Sequence, residues 1–309
     1  MKVGVVGAGR MGAERARVFA DNHDFELVAV QDASRERALA VAGRYGGRAA
    51  DDLDDLLASV GAVVVAIPAS EHHAVASRAL EAGCHVLVEK PLAAKLGDAR
   101  ELCSAARKRG LVLGVGHAER FNGAITAALQ VFTPASPRYF EGKRLARFQA
   151  RGTDVSVIFD LMIHDIDLVC FLSGSPVEEA LAVGTPLVTE GVDMANARLR
   201  LADGSVANLT ASRVSSRNMR EMRVFQPTGY FSLNLARQDG VYRPREGRKV
   251  DLEQPPGEPL ARETEAFAAA LAGRPSLMAT GEDGVRSLEI ATAITEEIER
   301  FRSVAYQDS

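Results

Sequence analysis

Residues 3 to 12 read Val3-Gly4-Val5-Val6-Gly7-Ala8-Gly9-Arg10-Met11-Gly12, and this stretch decides the fold of the first part of the chain. An apolar strand, Val3 to Val6, runs into G-x-G-x-x-G and then into a helical pattern through Ala13, Ala16, Phe19 and Ala20. Asp32 follows the next apolar run, Phe25 to Val30, and stands 20 residues after Gly12. Strand, glycine turn, helix and acid at this spacing form the dinucleotide-binding fingerprint. Gly7 permits the tight turn, Gly9 lets the backbone approach a pyrophosphate, and Gly12 lets helix and strand pack closely. The helix N-terminus offers unpaired N–H groups and the positive end of its dipole to phosphate. Asp32 can accept from a ribose 2′-OH and repels a 2′-phosphate, which favours NAD; Ser34, Arg35 and Arg37 follow closely and could tolerate that phosphate, so NADP stays open.

Working outward, strands are expected at 2–6, 25–31, 62–67, 85–89 and 111–115, and helices at 11–21, 34–44, 52–58, 71–82 and 95–109. Continuous apolar runs such as Ala62 to Ile67 suit parallel strands buried on both faces, and their alternation with helices means a doubly wound sheet. The pattern then changes. Residues 124–132 read as a helix broken by Thr133-Pro134-Ala135-Ser136-Pro137, followed by a strand at 138–148 and a helix at 159–172. Strand-like runs at 179–188, 192–201, 205–215, 220–226 and 229–235 predict an antiparallel or mixed sheet. Residues 243–259 carry four prolines and two glycines and read as a long irregular loop. Helices at 260–272 and 283–302 close the chain. The expected division is a dinucleotide-binding domain at 1–118 and a second, substrate-binding and oligomerisation domain at 119–309.

At 309 residues, about two domains are expected. Hydrophobic residues at 47% and charged residues at 25% describe an ordinary globular protein. With 37 Lys and Arg against 41 Asp and Glu, the net charge of −4 argues against nucleic acid as a partner. Cys84, Cys103 and Cys170 form no C-x-x-C pair, which suits a reducing cytoplasm. Met1 and Lys2 lead straight into a strand, with no signal peptide and no apolar run long enough to span a bilayer. Neither H-E-x-x-H nor C-x-x-C spacing occurs, so no metal is expected.

Two clusters carry chemistry. Glu89-Lys90-Pro91 ends the fifth strand, at the sheet edge where ligands bind, and would place a cation beside the nicotinamide. A surface lysine at a strand end has the same signature. In Asp160-Leu161-Met162-Ile163-His164-Asp165-Ile166-Asp167 the first acid and the histidine are i and i+4 on one helix face. A carboxylate there orients the imidazole and favours its protonated form, as suits a histidine that takes a proton from an alcohol. Asp167, at i+3, is an alternative partner, and a hydrogen-bonded structural histidine fits the same pattern. His72 is placed at the start of the helix after Ile67 and Pro68, near the cofactor or simply in a first turn.

Taken in order, the glycine turn, Ile67-Pro68-x-x-x-His72, Glu89-Lys90-Pro91 and Asp160-x-x-x-His164 resemble the Gfo/Idh/MocA family (glucose–fructose oxidoreductase, inositol dehydrogenase, rhizopine catabolism protein). The resemblance covers essentially the whole chain. It implies an N-terminal Rossmann domain, a C-terminal domain with an open, mostly antiparallel mixed sheet that builds homodimers or homotetramers, NAD or NADP, and sugar or polyol substrates. It implies Lys90, Asp160 and His164 as catalytic residues. Cofactor contacts are expected from Gly7, Ala8, Gly9, Arg10, Met11, Gly12, Asp32, Arg37, Ile67, Pro68, His72, Glu89 and Lys90. Many members have glycine two residues before the histidine; Met162 stands there in this chain and is expected to reshape the substrate pocket.

Gly116-His117-Ala118-Glu119-Arg120-Phe121-Asn122, the run Asp160 to Leu168, and Ala207 to Arg213 resemble a narrower group, the UDP-N-acetylglucosamine 3-dehydrogenases that serve lipid A biosynthesis. That resemblance implies substrate contacts from Lys90, Arg120, Asn122, Asp160, His164 and Arg213. Arg213 is the best placed cation for a diphosphate; Arg217, Arg220 and Arg223 are candidates that read equally as a solvated strand face. The expected activity is hydride transfer from a secondary hydroxyl of a sugar or nucleotide-sugar, foremost C3 of UDP-N-acetylglucosamine, to the nicotinamide. A hydrolase using transient sugar oxidation and a non-catalytic dinucleotide-binding regulator are the alternatives.

Overall fold

Apolar, β-branched runs build the first sheet. In a computed structural model, which describes residues 1–132, 137–149, 155–254 and 257–305, these are β1 (Lys2–Val6), β2 (Glu26–Gln31), β3 (Arg48–Ala49), β4 (Ala62–Val65), β5 (His85–Glu89) and β6 (Leu113–Gly116). They lie in the order β6-β5-β4-β1-β2-β3, all parallel. This is the doubly wound order, with its reversal between β1 and β4. Every residue of β4 is fully buried, as a strand covered on both faces requires. The connecting helices are α1 (Arg10–Ala20), α2 (Arg35–Tyr45), α3 (Leu53–Leu57), α4 (Ala69–Glu81) and α5 (Leu96–Arg109). β3 has only two residues and is not among the expected strands.

In the second sheet one face is buried and the side chains alternate. Its order is β14-β13-β12-β11-β7-β10-β9-β8, from β7 (Tyr139–Leu145), β8 (Val177–Thr185), β9 (Met194–Leu201), β10 (Val206–Ser212), β11 (Met219–Gln226), β12 (Gly229–Asn234), β13 (Asp239–Pro244) and β14 (Val250–Leu252). Only β7 and β10 run parallel; the other pairs are antiparallel. Phe140, Leu209, Ala195, Val224 and Phe231 point inward. They share one core with α6 (Gly123–Leu129), α7 (Ile163–Ser173) and the later turns of the C-terminal helix, through Ile290, Ile294 and Ile298. The mixed, mostly antiparallel sheet expected from the sequence is present. The expected break at 133–136 and the prolines at 255 and 256 lie outside the described residues.

The chain folds as two compact units, Met1–Ala118 with Gly257–Arg286, and Glu119–Pro256 with Ser287–Ser309. A single boundary near residue 118 does not describe this: the chain returns to its first unit. There α8 (Pro259–Leu271) lays Phe267 edge-on to Phe19 and stacked on Phe25, with centroids 6.2 Å and 5.9 Å away. β15 (Ala279–Thr280) pairs antiparallel with β6, and α9 (Gly281–Ala305) then runs into the second unit. The irregular loop expected at 243–259 in fact contains β14 and the end of β13. Hairpin pairing of β13 to β12, and of β14 to β13, outweighs the local proline and glycine signals there.

Candidate active site

The glycine turn is shaped as its spacing requires. Gly7 has φ +100°, and a Cβ there would stand 2.2 Å from the Ala66 carbonyl oxygen. A Cβ on Gly12 would stand 1.7 Å from the Gly7 oxygen, so α1 can pack this closely on the turn only without one. Nothing lies within 4 Å of the Cβ position of Gly9, which leaves the face of the turn open. α1 has Gly9 at its N-cap, no side-chain cap and no acid in its first turn. Its leading N–H groups and positive dipole end are thus left for an anion. Arg10 and Met11 are exposed in the same turn. This open cradle fits the pyrophosphate of a dinucleotide.

Asp32 closes the cradle. One carboxylate oxygen accepts from Ala8 N–H at 2.7 Å; the other accepts from Ser34 N–H at 2.7 Å and Arg37 Nη2 at 2.6 Å. Burial alone would raise its proton affinity, but the Arg37 guanidinium and the two N–H donors outweigh this and hold Asp32 below its ordinary range. Asp32 therefore ties β2 to the glycine turn as a carboxylate, and Arg37 leans on it.

At the far edge of β5, Glu89 and Lys90 are half-buried, and the Lys90–Pro91 peptide is cis. Glu89 accepts from Arg15 Nε of α1 at 2.6 Å. His72 lies in the first turn of α4, after Pro68, as the sequence predicts. It is 1% exposed, its Nδ1 lies 2.8 Å from the Pro91 carbonyl oxygen and its Nε2 2.9 Å from that of Ile67. Burial lowers its proton affinity despite those carbonyls and the nearby Glu89 charge. The ring braces the first unit between Ile67 and Pro91.

In the second unit Asp160 and His164 sit on successive turns, both half-buried. The expected helix at 159–172 begins one residue earlier, and its first turn is a π-helix, Ile158–Met162, before α7. Such turns recur at functional sites because they set side chains at non-standard positions. Met162 is fully buried in the core beneath. Its side chain packs into the core of the second unit.

Both acids that follow His164 are tied to arginines. Asp167 takes a bidentate pair from Arg120, at 2.8 Å from Nε and 2.6 Å from Nη2. Asp165 accepts from Arg144 Nη2 of β7 at 2.8 Å, and Arg144 also meets Glu119 at 3.2 Å. Arg138 donates to the carbonyls of Leu172 and Ser173, neutralising the C-terminal end of α7. Arg120 is 4% exposed and lies 4.8 Å from the Phe171 ring centroid. Asn122 caps α6 and donates to the Leu235 carbonyl. The structure thus turns Arg120 and Asn122 inward, as anchors of the second unit. Arg213 is likewise buried, donating to the Val155 carbonyl at 2.6 Å. Arg220 is exposed and meets Glu119 at 3.3 Å, and Arg223 meets Glu141 at 3.5 Å on the outer sheet face. Among the described residues no group of three or more His, Cys, Asp or Glu is disposed to hold a metal.

Arg15, Arg144 and Arg138 are not singled out by the sequence motifs. Arg15 was findable: it falls on the buried stripe of α1 with Gly12, Ala16 and Phe19, where a charge needs a partner. Arg144 alternates inward with Phe140 and Gly142 on β7.

A doubly wound sheet with an open glycine cradle, joined to a mixed-sheet domain, defines a dinucleotide-dependent enzyme scaffold. The chain belongs to the Gfo/Idh/MocA family. Residues 1–117 match the oxidoreductase family with NAD-binding Rossmann fold, and residues 124–232 match its C-terminal domain. UDP-N-acetylglucosamine 3-dehydrogenase from Acidithiobacillus ferrooxidans is 38% identical over 97% of this chain and 98% of that one. A solved structure of that enzyme matches with TM-score 0.92 at 39% identity, covering 97% and 98% of the two chains. 1,5-Anhydro-D-fructose reductase from Ensifer adhaerens is 30% identical over 87% of each chain. Inositol 2-dehydrogenase from Rhizobium meliloti is 25% identical over 99% of each. The protein is an NAD-binding oxidoreductase.

Proposed function

We propose that the protein oxidises the C3 hydroxyl of UDP-N-acetylglucosamine. The observation that carries this reading is the 38% identity, along 97% of the chain, to an enzyme of that activity. The glycine turn and Asp32 would hold NAD, which when bound would supply the hydride acceptor for the sugar carbon. His164 takes the hydroxyl proton, Asp160 orients the imidazole, and Lys90 stabilises the oxyanion as the carbonyl forms.

The outer face of the second sheet is where a second copy would pair. It carries Tyr139, Phe225 and Tyr230 in ring contact, with Leu181 and Val183 exposed. A homodimer or homotetramer is the expected state. No described helix is long and apolar enough to cross a membrane. The three cysteines are buried thiols, which supports a reducing, cytoplasmic setting.

The test is UDP-N-acetylglucosamine deuterated at C3, incubated with NAD and the purified protein. Transfer of deuterium to the reduced nicotinamide supports the reading. Reduction with label retained in the sugar moves the chemistry to another carbon. Reduction by myo-inositol or glucose alone discards the nucleotide-sugar. Sugar release without net NADH returns the hydrolase.

A further inference from the structure

The first unit holds a buried chain of three charged side chains that the reaction described above does not use. Arg15 of α1 is 1% exposed and lies between two carboxylates, Glu89 of β5 and Glu263 of α8, each at 2.6 Å. The Glu263 side chain is fully buried, whereas that of Glu89 keeps 12% exposure and directly precedes Lys90. The strand beside the pair leaves room for it: a Cβ on Gly116 of β6 would stand 2.8 Å from Arg15 Nη2 and 3.0 Å from Glu89 Oε2.

Stability does not account for this arrangement. Burying a guanidinium with carboxylates costs heavily in desolvation, and replacing such triads by apolar groups is often neutral or stabilising. What the triad supplies is direction. With Nη1 held by Glu263, the rigid guanidinium presents Nε and Nη2 to a single oxygen of Glu89. On the other side of Lys90, His72 lies against the Pro91 carbonyl. Lys90 is therefore held through both its chain neighbours.

We infer that Glu263 is a positioning residue for Lys90, acting through Arg15 and Glu89. The helix that returns late in the chain thereby sets a group at the sheet edge. This rests on the reading of Lys90 as the group that stabilises the oxyanion. Glu263→Gln keeps the volume and an acceptor but removes the charge that pins Arg15. It is expected to lower kcat by roughly 10- to 100-fold, the usual cost of losing a supporting partner, with KM for NAD unchanged. Arg15→Lys, which cannot span both carboxylates, should reproduce the loss.

The decisive comparison repeats Glu263→Gln in a Lys90→Ala background, where no further loss of kcat is expected. A readout independent of turnover is the rate at which an amine-directed reagent modifies Lys90, followed by peptide mass spectrometry; Glu263→Gln should change it while the thermal midpoint stays near wild type. Equal losses of kcat in both backgrounds, or an unchanged Lys90 modification rate, would overturn the inference. Full activity of Lys90→Ala alone would instead remove the reading of Lys90 on which it rests.

Discussion

Asp32 accepts from Ala8 N–H, Ser34 N–H and Arg37 at once, so its charge organises the glycine turn. Asp32→Ala is expected to weaken NAD binding about 10- to 100-fold, the scale of lost charge-assisted hydrogen bonds, and to narrow discrimination against NADP. Titration of the variant with both cofactors checks this. Asp193 shows the same physics away from the cradle. Its buried carboxylate accepts from the N–H groups of Leu187, Val188 and Thr189 and from the Thr189 hydroxyl. That capture ends β8 at Thr185, short of the 188 expected from sequence. Burial opposes its ionisation, yet these donors win and hold Asp193 far below the ordinary carboxylate range. A depressed value stabilises the fold above the unfolded carboxylate value, about 3.9. That contribution is lost as pH falls through the folded value. Asp193→Ala should cost about 2–3 kcal/mol at neutral pH, with the difference from wild type shrinking in strong acid, as followed by denaturant unfolding.

At the scale of elements, α7 is held by its own acids. Asp165 and Asp167 are both buried and would be costly there without Arg144 and Arg120. Arg120→Ala is expected to destabilise the protein by about 3–5 kcal/mol, read as a lower thermal midpoint, because it strips Asp167 of a bidentate partner. A residue that met substrate at the surface would show a raised KM with stability intact. Sequence pattern located α7 to within a turn, since its apolar residues and Gly174 bound it clearly. It did not reveal the π-turn at 158–162, because an added residue per turn leaves apolar spacing almost unchanged over five residues. β13 and β14 escaped for a different reason. They pair as consecutive hairpins, but Pro244 and Gly247 advertise a loop there.

For the whole molecule, alternation of apolar runs and helices made the parallel sheet legible, along with its glycine cradle and Asp32. The late return of α8 to the first unit was not legible, because an amphipathic helix declares that it has a buried face without declaring which surface it meets. Phe267 shows how much rests on that return. It is fully buried against Phe19 and Phe25. Phe267→Ala should cost about 3–5 kcal/mol, with hydrogen-exchange protection falling in β1 and β2. Site residues divided along the same line. The geometry of a chain-local motif such as Gly7 to Gly12 is legible in the sequence. The burial of Arg120, Asn122, His72 and Arg213 is not, because it is set by partners distant in the chain.

The central claim is that an NAD-binding oxidoreductase uses His164 as the base for a sugar hydroxyl. The most direct measurement is NADH formation from UDP-N-acetylglucosamine by wild type and His164→Asn, alongside NAD affinity by titration. The account predicts NADH from the wild type, a loss of about 100-fold or more in the variant, and NAD affinity within about twofold. An unimpaired variant, or one that has lost NAD binding instead of turnover, would contradict it.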